Sequence, residues 1–220
     1  APSDLKPGLA GVLVATERGM ITLTATDSFR LGERSIGEAE DVTEESECIV
    51  PARTIQELLR TLPEEGDVRV SAGEHQATFE WEGVRVVSRL IDGTYPPYKN
   101  LIPKTFETTV VVNRDDLMKK IRLASVFSSR LNDVTVSFSP SELSITTANA
   151  ETGTTMARIP AKGRGASGSV VFNHRYLSDG IEAAGGENIV LNLNGTAGPT
   201  LIQNPSTTAF LYLLMPIRSV

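Results

Sequence analysis

Apolar and polar positions alternate through most of the chain, in short runs broken by glycine, proline or charge. A period of two is the mark of half-buried strands. It predicts strands at "GVLVAT", "GMITLTAT" and "FRLGERSI", the first two parted by a polar turn around Glu17 and Arg18. "ECIVP" then leads into "ARTIQELLRTL", where Ile55, Leu58, Leu59 and Leu62 recur at the spacing of one helix face. Pro63 and Gly66 stop that helix. "DVRVSAG", "HQATFEWEG" and "VRVVSRLIDG" follow as strands, with Gly73 and Gly83 where hairpin turns belong.

"TYPPYKNLIPK" breaks the pattern. Pro96, Pro97 and Pro103 suit a stiff extended connector rather than a strand interior, so a domain boundary falls at its far end. Beyond it the same grammar returns. "FETTVVV" is a strand, and Asn113 and Asp116 form a capping pair ahead of "LMKKIRLAS". Leu117, Ile121 and Ala124 give that helix its inward stripe. "DVTVSFS", "ELSITTAN" and "TGTTMARIP" are three strands, "KGRGASG" a flexible turn, and "SVVF" a further strand. Asn173 caps "HRYLSDGIEAA", with Tyr176, Leu177, Ile181 and Ala184 inward and Gly185 and Gly186 at its end. "NIVLNLN", "GPTLIQN" and "TAFLYLLMP" complete the set.

One unit, strand, helix and three strands, therefore occurs twice between Phe106 and Met215. The region before Pro103 holds one such unit in full, preceded by three strands that lack their opening strand and helix. The fold class is α+β, built from a duplicated unit of about 50 to 60 residues.

Composition adds bounds. A chain of 220 residues with 40% apolar and 22% charged content suits one large domain or two ordinary ones. No apolar run reaches the ~18 residues of a membrane-spanning helix. "APSDLKPGLAG" is neither a signal peptide nor a basic arm, and without an initiator Met it reads as the start of a fragment or a processed chain. The single cysteine, Cys48, has no internal disulfide partner; its strand setting predicts a buried thiol and fits a reducing compartment. Net charge is -6, and the run Glu38 to Glu47 supplies it with six acids: Glu38, Glu40, Asp41, Glu44, Glu45 and Glu47. That run reads as a solvated connection between strands, and the rest of the chain is neutral overall.

Candidate chemistry is sparse. "AKGRGASG" lacks the helix start of a phosphate-binding loop, and no serine sits in a nucleophile elbow. His75 and His174 are isolated, which argues against a metal. Asp27 and Asp133 read as turn carboxylates. Glu74 and Glu80 beside Trp81 could imitate a sugar site, the one enzymatic alternative, a carbohydrate-active protein; on alternating strands they read more simply as solvent-facing. No catalytic constellation and no cofactor is expected. Helix faces offer more. Lys119 and Arg122 point away from the core, flanked by Arg114 and Lys120; Arg53, Arg60, His174 and Arg175 are candidates on the other helices. Several such faces on one side of a curved sheet would form a basic track for phosphates, read without base specificity.

The last ten residues, "LYLLMPIRSV", are unusual for a chain end, where frayed polar residues are the rule. Together with "LTATDSFRL" and "RLIDGTYPPYKNLIP", in that order along the chain, the terminal "LLMPIR" resembles the bacterial DNA polymerase III beta subunit, the replicative sliding clamp. The resemblance covers essentially the whole chain. It implies a clamp middle domain over 1–103, lacking its first strand and helix, and a clamp C-terminal domain over 104–220. It implies sheets outside and helices lining an inner face, in a head-to-tail homodimeric ring around duplex DNA. The function it implies is that of a non-catalytic processivity factor, bacterial, cytoplasmic and nucleoid-associated. Its partners would be the replicative polymerase alpha subunit, the clamp loader, repair polymerases, and mismatch-repair and initiation-regulatory proteins, all bound through linear motifs.

The resemblance further implies a peptide pocket at Leu9, Thr26, Ser28, Phe29, Arg30, Leu31, Pro96, Asn100 and Leu101 and at Leu213, Leu214, Met215, Pro216, Ile217 and Arg218. Leu31, Leu101, Leu214 and Met215 would be its apolar walls, and Arg30 and Arg218 would meet peptide carbonyls or acids. Ser125, Val126 and Phe127 would lie at the ring interface. Three departures stand out. Ser28-Phe29 replaces a Gly-His pair of the family, Asn100 stands where many members have Arg, and the tail extends to Ser219 and Val220. A truncated, peptide-binding scaffold that does not encircle DNA is the alternative.

Overall fold

The computed structural model describes residues 7–37, 45–149 and 153–217. Glu38, Glu40, Asp41 and Glu44 of the acidic run lie outside the described residues, as do Arg218, Ser219 and Val220. Two compact units form. The first takes the chain up to Tyr98 except Ser28–Gly32; the second takes that short segment and everything from Lys99.

The first unit opens with β1 (Gly11–Glu17), β2 (Met20–Thr26) and β3 (Arg30–Ile36), whose opening residues belong to the second unit. Then come β4 (Ser46–Pro51), α1 (Ala52–Thr61), β5 (Arg69–Ala72), β6 (Gln76–Trp81) and β7 (Val84–Arg89). β1 pairs antiparallel with β2 and β4, and β5-β6-β7 is a separate meander. Leu58 of α1 is buried with Val50, Phe79 and Trp81, and Ile55 and Leu62 pack on them half-buried. Leu59 does not join them. It is 75% exposed, so the inward stripe of α1 is narrower than the four-residue pattern suggested. Leu62 takes an extended conformation (ψ 139), as a residue before proline must, and the helix stops there.

Two buried tyrosines close this unit. Tyr95 and Tyr98 meet edge to face at 6.1 Å. The Tyr98 hydroxyl donates to Glu33 Oε2 at 2.5 Å, and the Tyr95 hydroxyl to the Thr24 carbonyl at 3.3 Å. Burial, and for Tyr98 then the Glu33 carboxylate, pushes both phenols up to about 12. The unfolded chain loses these protons near pH 10, ahead of the folded one. Stability is therefore expected to fall as pH rises from about 10 toward 12. Denaturation across that window checks it, and Tyr98→Phe should flatten the slope.

The second unit contains β8 (Thr108–Asn113), α2 (Arg114–Ser125), β9 (Asp133–Phe138), β10 (Glu142–Asn149), β11 (Gly153–Pro160), β12 (Lys162–Arg164) and β13 (Gly168–Asn173). It continues with α3 (His174–Ala184), β14 (Asn188–Leu193), β15 (Thr200–Gln203) and β16 (Phe210–Leu214). The two copies of the repeat exchange their first strands. β13 completes β11-β10-β9, while β8 completes β14-β15-β16. Each sheet thus takes strands from both copies, and neither copy can bury its apolar face alone. The exchange places Val110, Ile121, Leu143, Phe172, Ile181 and Leu214 in one core.

Both helices of this unit start at an asparagine. Asn113 Oδ1 accepts the Asp116 N–H at 3.0 Å, and Asn173 Oδ1 accepts those of Arg175 and Tyr176 at 3.0 and 3.3 Å. Leu117, Ile121 and Ala124 are buried as their spacing predicts, and Met118 joins them. "KGRGASG" is not the flexible turn it resembles: β12 pairs with β8. A Cβ at Gly165, at φ +104, would stand 2.2 Å from the Glu107 carbonyl oxygen, so only glycine lets the backbones approach. Among the described residues no helix is long and apolar enough to cross a membrane.

Candidate functional site

The tail of the second unit is tied down on two sides. The Met215 N–H donates to the Phe29 carbonyl and the Ile217 N–H to the Val171 carbonyl, each at 2.8 Å. Pro216 between them is buried and has no N–H to satisfy. The tail therefore links the Ser28–Gly32 segment to β13.

Around this crossing lies a cavity of about 560 Å³, within the usual size range of ligand pockets. Met215, Pro216 and Ile217 supply one wall and Ser28 and Phe29 another. Asn173 and Tyr176 come from the start of α3, and Leu131 from the loop ahead of β9. Phe29 and Leu131 are 62% and 68% exposed, large apolar side chains held at the rim. Ser28 sits at φ 74, a left-handed conformation that costs a non-glycine residue about 1 kcal/mol and turns the chain into Phe29. Among the described residues that line the cavity none is a carboxylate, histidine, lysine or arginine. The described lining is mainly apolar, from Phe29, Leu131, Tyr176, Met215, Pro216 and Ile217.

Arg30 stands beside the cavity. Its guanidinium lies 4.1 Å from the centroid of the Tyr176 ring and 2.5 Å from Asp179 Oδ2. The Tyr176 carbonyl accepts the Tyr212 hydroxyl at 2.9 Å, which fixes this turn of α3 to β16.

Of the expected pocket residues, Ser28, Phe29, Met215, Pro216 and Ile217 come together here. Leu31, Leu213 and Leu214 are buried; Leu214 is 0% exposed inside the core and forms no wall. Asn100 and Leu101 are exposed and are not among the lining residues. Leu9, Thr26 and Pro96 belong to the first unit, and Arg218 lies outside the described residues. Sequence reasoning assigned Asn173 to capping and Tyr176 to the core, and passed over Leu131. The first two do cap and pack as expected, yet also line the cavity.

The basic candidates divide unevenly. α2 presents Lys119 and Arg122 fully and Lys120 in part. The Arg114 side chain is only 30% exposed, with its Nη1 3.5 Å from Asp115, so it is drawn into the surface. On α3 burial, and then the Arg175 charge, hold the His174 imidazole below its usual range. A lowered His174 is mostly uncharged near pH 7 and adds little to the basic face expected from sequence. Arg175 shares α3 with Asp179 and Glu182, of which Asp179 is held by Arg30. On α1 both Arg53 and Arg60 are exposed, and Arg60 pairs with Glu57 at 2.5 Å. Of the expected ring-interface residues, Val126 is 71% exposed, while Ser125 and Phe127 are half-buried.

The enzymatic alternative finds no support in the placement of its residues. Trp81 is 6% exposed and packs in the core, so only its margin reaches the open hollow that it shares with Asp67, Arg69, Glu80, Glu82 and Arg85, and Glu80 there pairs with Arg85 Nε at 3.3 Å. His75 is less isolated than its sequence suggests, lying 3.9 Å from Glu74 and 3.8 Å from Asp92. Still, no group of three or more His, Cys, Asp or Glu among the described residues could hold a metal ion. Cys48 is half-buried, and burial pushes its thiol up.

Comparison with known proteins now bears on this site. Residues 1–97 match the sequence model of the DNA polymerase III beta subunit central domain, and residues 99–218 that of its C-terminal domain. The chain is 27% identical over 227 residues to the beta sliding clamp of Streptomyces coelicolor, covering 98% of this chain and 60% of that protein. It is 26% identical to the beta sliding clamp of Staphylococcus aureus strain Mu50, covering 99% and 58%. The DNA polymerase sliding clamp of Bacillus subtilis superposes with a TM-score of 0.96 at 28% identity, over all of this chain and 59% of that one. The DNA polymerase III subunit beta of Pseudomonas aeruginosa does so at 0.94 and 25%, over all of this chain and 60% of that one. The chain thus spans about three-fifths of the length of these relatives.

Proposed function

The chain belongs to the DNA polymerase III beta subunit family, the bacterial sliding clamps, and on that premise we propose that it serves as a non-catalytic processivity factor of DNA replication. In this reading it encircles duplex DNA without base readout and docks partners through short linear peptides. Those partners are the replicative polymerase alpha subunit, the clamp loader, repair polymerases, and mismatch-repair and initiation-regulatory proteins, in the cytoplasm at the nucleoid. The first unit is the family's middle domain without its first strand and helix, and the second is the C-terminal domain. In support of the former, all four residues of β5 are exposed at the edge position that β8 covers in the second unit. The head-to-tail homodimer would close at Val126 and its neighbours Ser125 and Phe127, at the end of α2.

The observation that carries the reading is the tail-walled cavity. Extended peptides anchored by leucine or phenylalanine bury those side chains in such a site. Met215 adapts to anchors of different shape, because its thioether chain is unbranched.

A fluorescent peptide of the Gln-Leu-x-Leu-Phe type should bind with micromolar affinity, read by anisotropy. Phe29→Ala should weaken it several-fold, since an apolar side chain at the rim is buried only when the peptide covers it, worth on the order of 1 kcal/mol. Phe29 is exposed enough that the fold should tolerate the change. Deleting Met215 to Val220 should abolish binding. No binding by a demonstrably folded chain would remove the peptide-docking reading.

A further inference from the structure

We propose that Asn194–Gly195 is a site of spontaneous deamidation gated by the fold: side-chain bonds from Asn194 to Thr105 and Glu107 keep its amide from reacting until this corner of the second unit opens. The inference does not depend on peptide docking.

Asparagine is among the thermolabile residues, and this is the one Asn-Gly pair in the sequence. It opens the turn between β14 and β15, where Gly195 takes φ +63 and the Gly198 N–H donates to the Asn194 carbonyl at 3.1 Å. Glycine adopts that conformation without strain. The same missing side chain leaves the Gly195 nitrogen open to approach the amide before it. The reaction needs only the chain and water. The Gly195 nitrogen bonds to Asn194 Cγ as the Cγ–Nδ2 bond breaks, and its proton leaves with the amide nitrogen as ammonia. Water then opens the five-membered imide at one of its two carbonyls. One cleavage gives aspartate; the other gives isoaspartate, with the backbone running through the former side chain. Nothing is oxidised or reduced.

The folded chain ties up the amide. Asn194 Oδ1 accepts the Glu107 N–H, and Nδ2 donates to the Thr105 carbonyl, each at 3.1 Å. Both ends of the amide are thus engaged by the segment that leads into β8. Turning Cγ onto the Gly195 nitrogen requires both bonds to break. The partners lie 87 and 89 residues away in sequence, so this staple exists only while β8 is paired with β14. The product cannot rebuild it. An aspartate carboxylate has no N–H for the Thr105 carbonyl. Its charge also falls near Glu107, whose Oε2 lies 3.7 Å from where a Cβ on Gly195 would stand. Each opening that ends in reaction therefore leaves the entry to β8 less well held.

The test incubates the whole chain in warm, mildly alkaline buffer, either folded or unfolded in guanidinium chloride. Mass spectrometry of the Glu-C peptide that begins at Asn188 locates the product. In the unfolded chain Asn194 should convert ahead of Asn188 and Asn192, which precede the bulky Ile189 and Leu193. In the folded chain it should convert about tenfold more slowly or less, the factor that two ordinary hydrogen bonds supply. Glu107→Pro removes the N–H of the staple and should speed conversion in the folded chain several-fold. Glu107→Gln keeps that N–H and should match wild type. Gly195→Ala, followed in the unfolded chain where its backbone strain is immaterial, should slow conversion several-fold. An unchanged rate there, or an Asn194 that reacts no faster than Asn192, overturns the site. A folded wild type within about twofold of the unfolded rate overturns the gate, whether or not any variant folds. A folded Glu107→Pro chain no faster than wild type, or a Glu107→Gln chain as fast as Glu107→Pro, overturns the staple as its cause.

Discussion

Gly180→Val is expected to destabilise the second unit by about 3 kcal/mol or more, the upper end of overpacking costs. Glycine in the middle of a helix is itself unfavourable by about 1 kcal/mol relative to alanine. Gly180 occupies α3 because the Tyr212 ring leaves no room for anything larger. A Cβ built at this position falls 2.3 Å from Tyr212 Cδ1 and 2.5 Å from Cε1. The ring cannot swing away cheaply, being 7% exposed with its hydroxyl bonded to the Tyr176 carbonyl. The urea midpoint should drop, with the slope unchanged. Gly180→Ala should lie between wild type and valine, because helix propensity offsets part of the clash. The damage should also reach the cavity, since displacing Tyr212 loosens the turn of α3 that carries Tyr176, and peptide affinity should fall in the folded fraction. Combining Gly180→Val with Tyr212→Ala should cost less than the sum of the two, the signature of a shared contact. A Gly180→Ala protein more stable than wild type would show that the ring does not press on the helix.

That contact explains why some of the structure was legible in the sequence and some was not. Element order was readable because strand alternation, asparagine caps and proline stops are local signals, and Asn113, Asn173 and Pro63 act where they stand. The stripe Leu117, Ile121 and Ala124 was readable because α2 is covered along one continuous face. Leu59 misled because helical spacing marks a possible face, whereas burial needs a neighbour, and no described element covers it. β12 misled because a glycine-rich run reads as freedom; here the glycines serve close approach to β8.

The site divides along the same line. Phe29, Met215, Pro216 and Ile217 stood in motifs that carried the family resemblance, so they were named from sequence. Tyr176 and Asn173 already had sufficient local explanations, as core and cap, and nothing in one sequence shows that a residue serves twice. Leu131 sits in a loop whose position depends on the strand exchange between repeats. The Arg30–Asp179 pair joins residues 149 apart in sequence and was invisible for that reason.

Replacing Lys119, Lys120 and Arg122 together by Gln is expected to remove most of the affinity of the second unit for duplex DNA. α2 carries four cations, but Arg114 is drawn toward Asp115, and Asp115 and Asp116 both fall in the first turn. Positive charge is thereby concentrated on the middle and last turns, where Lys119, Lys120 and Arg122 have no ion pair among the described residues. α3, which packs against α2, cannot substitute for it. Burial and the Arg175 charge hold His174 below its usual range, which leaves Arg175 as the one permanent cation of α3, on a helix that also carries Asp179 and Glu182. Each phosphate neutralised contributes about 0.9 to the slope of log affinity against log salt, so losing three contacts should lower that slope by about 2.7. At about 0.1 M salt the same loss corresponds to two to three orders of magnitude in affinity. Anisotropy of a labelled duplex titrated across salt concentrations measures both quantities. Arg60→Gln on α1 should change the slope by less than one contact, because Glu57 already holds that guanidinium. The side chains replaced are exposed or half-exposed and lie off the apolar stripe, so thermal stability should stay close to wild type. A triple variant with an unchanged slope would place the DNA contacts elsewhere than α2, and would leave the basic face of this helix as ordinary solvated surface.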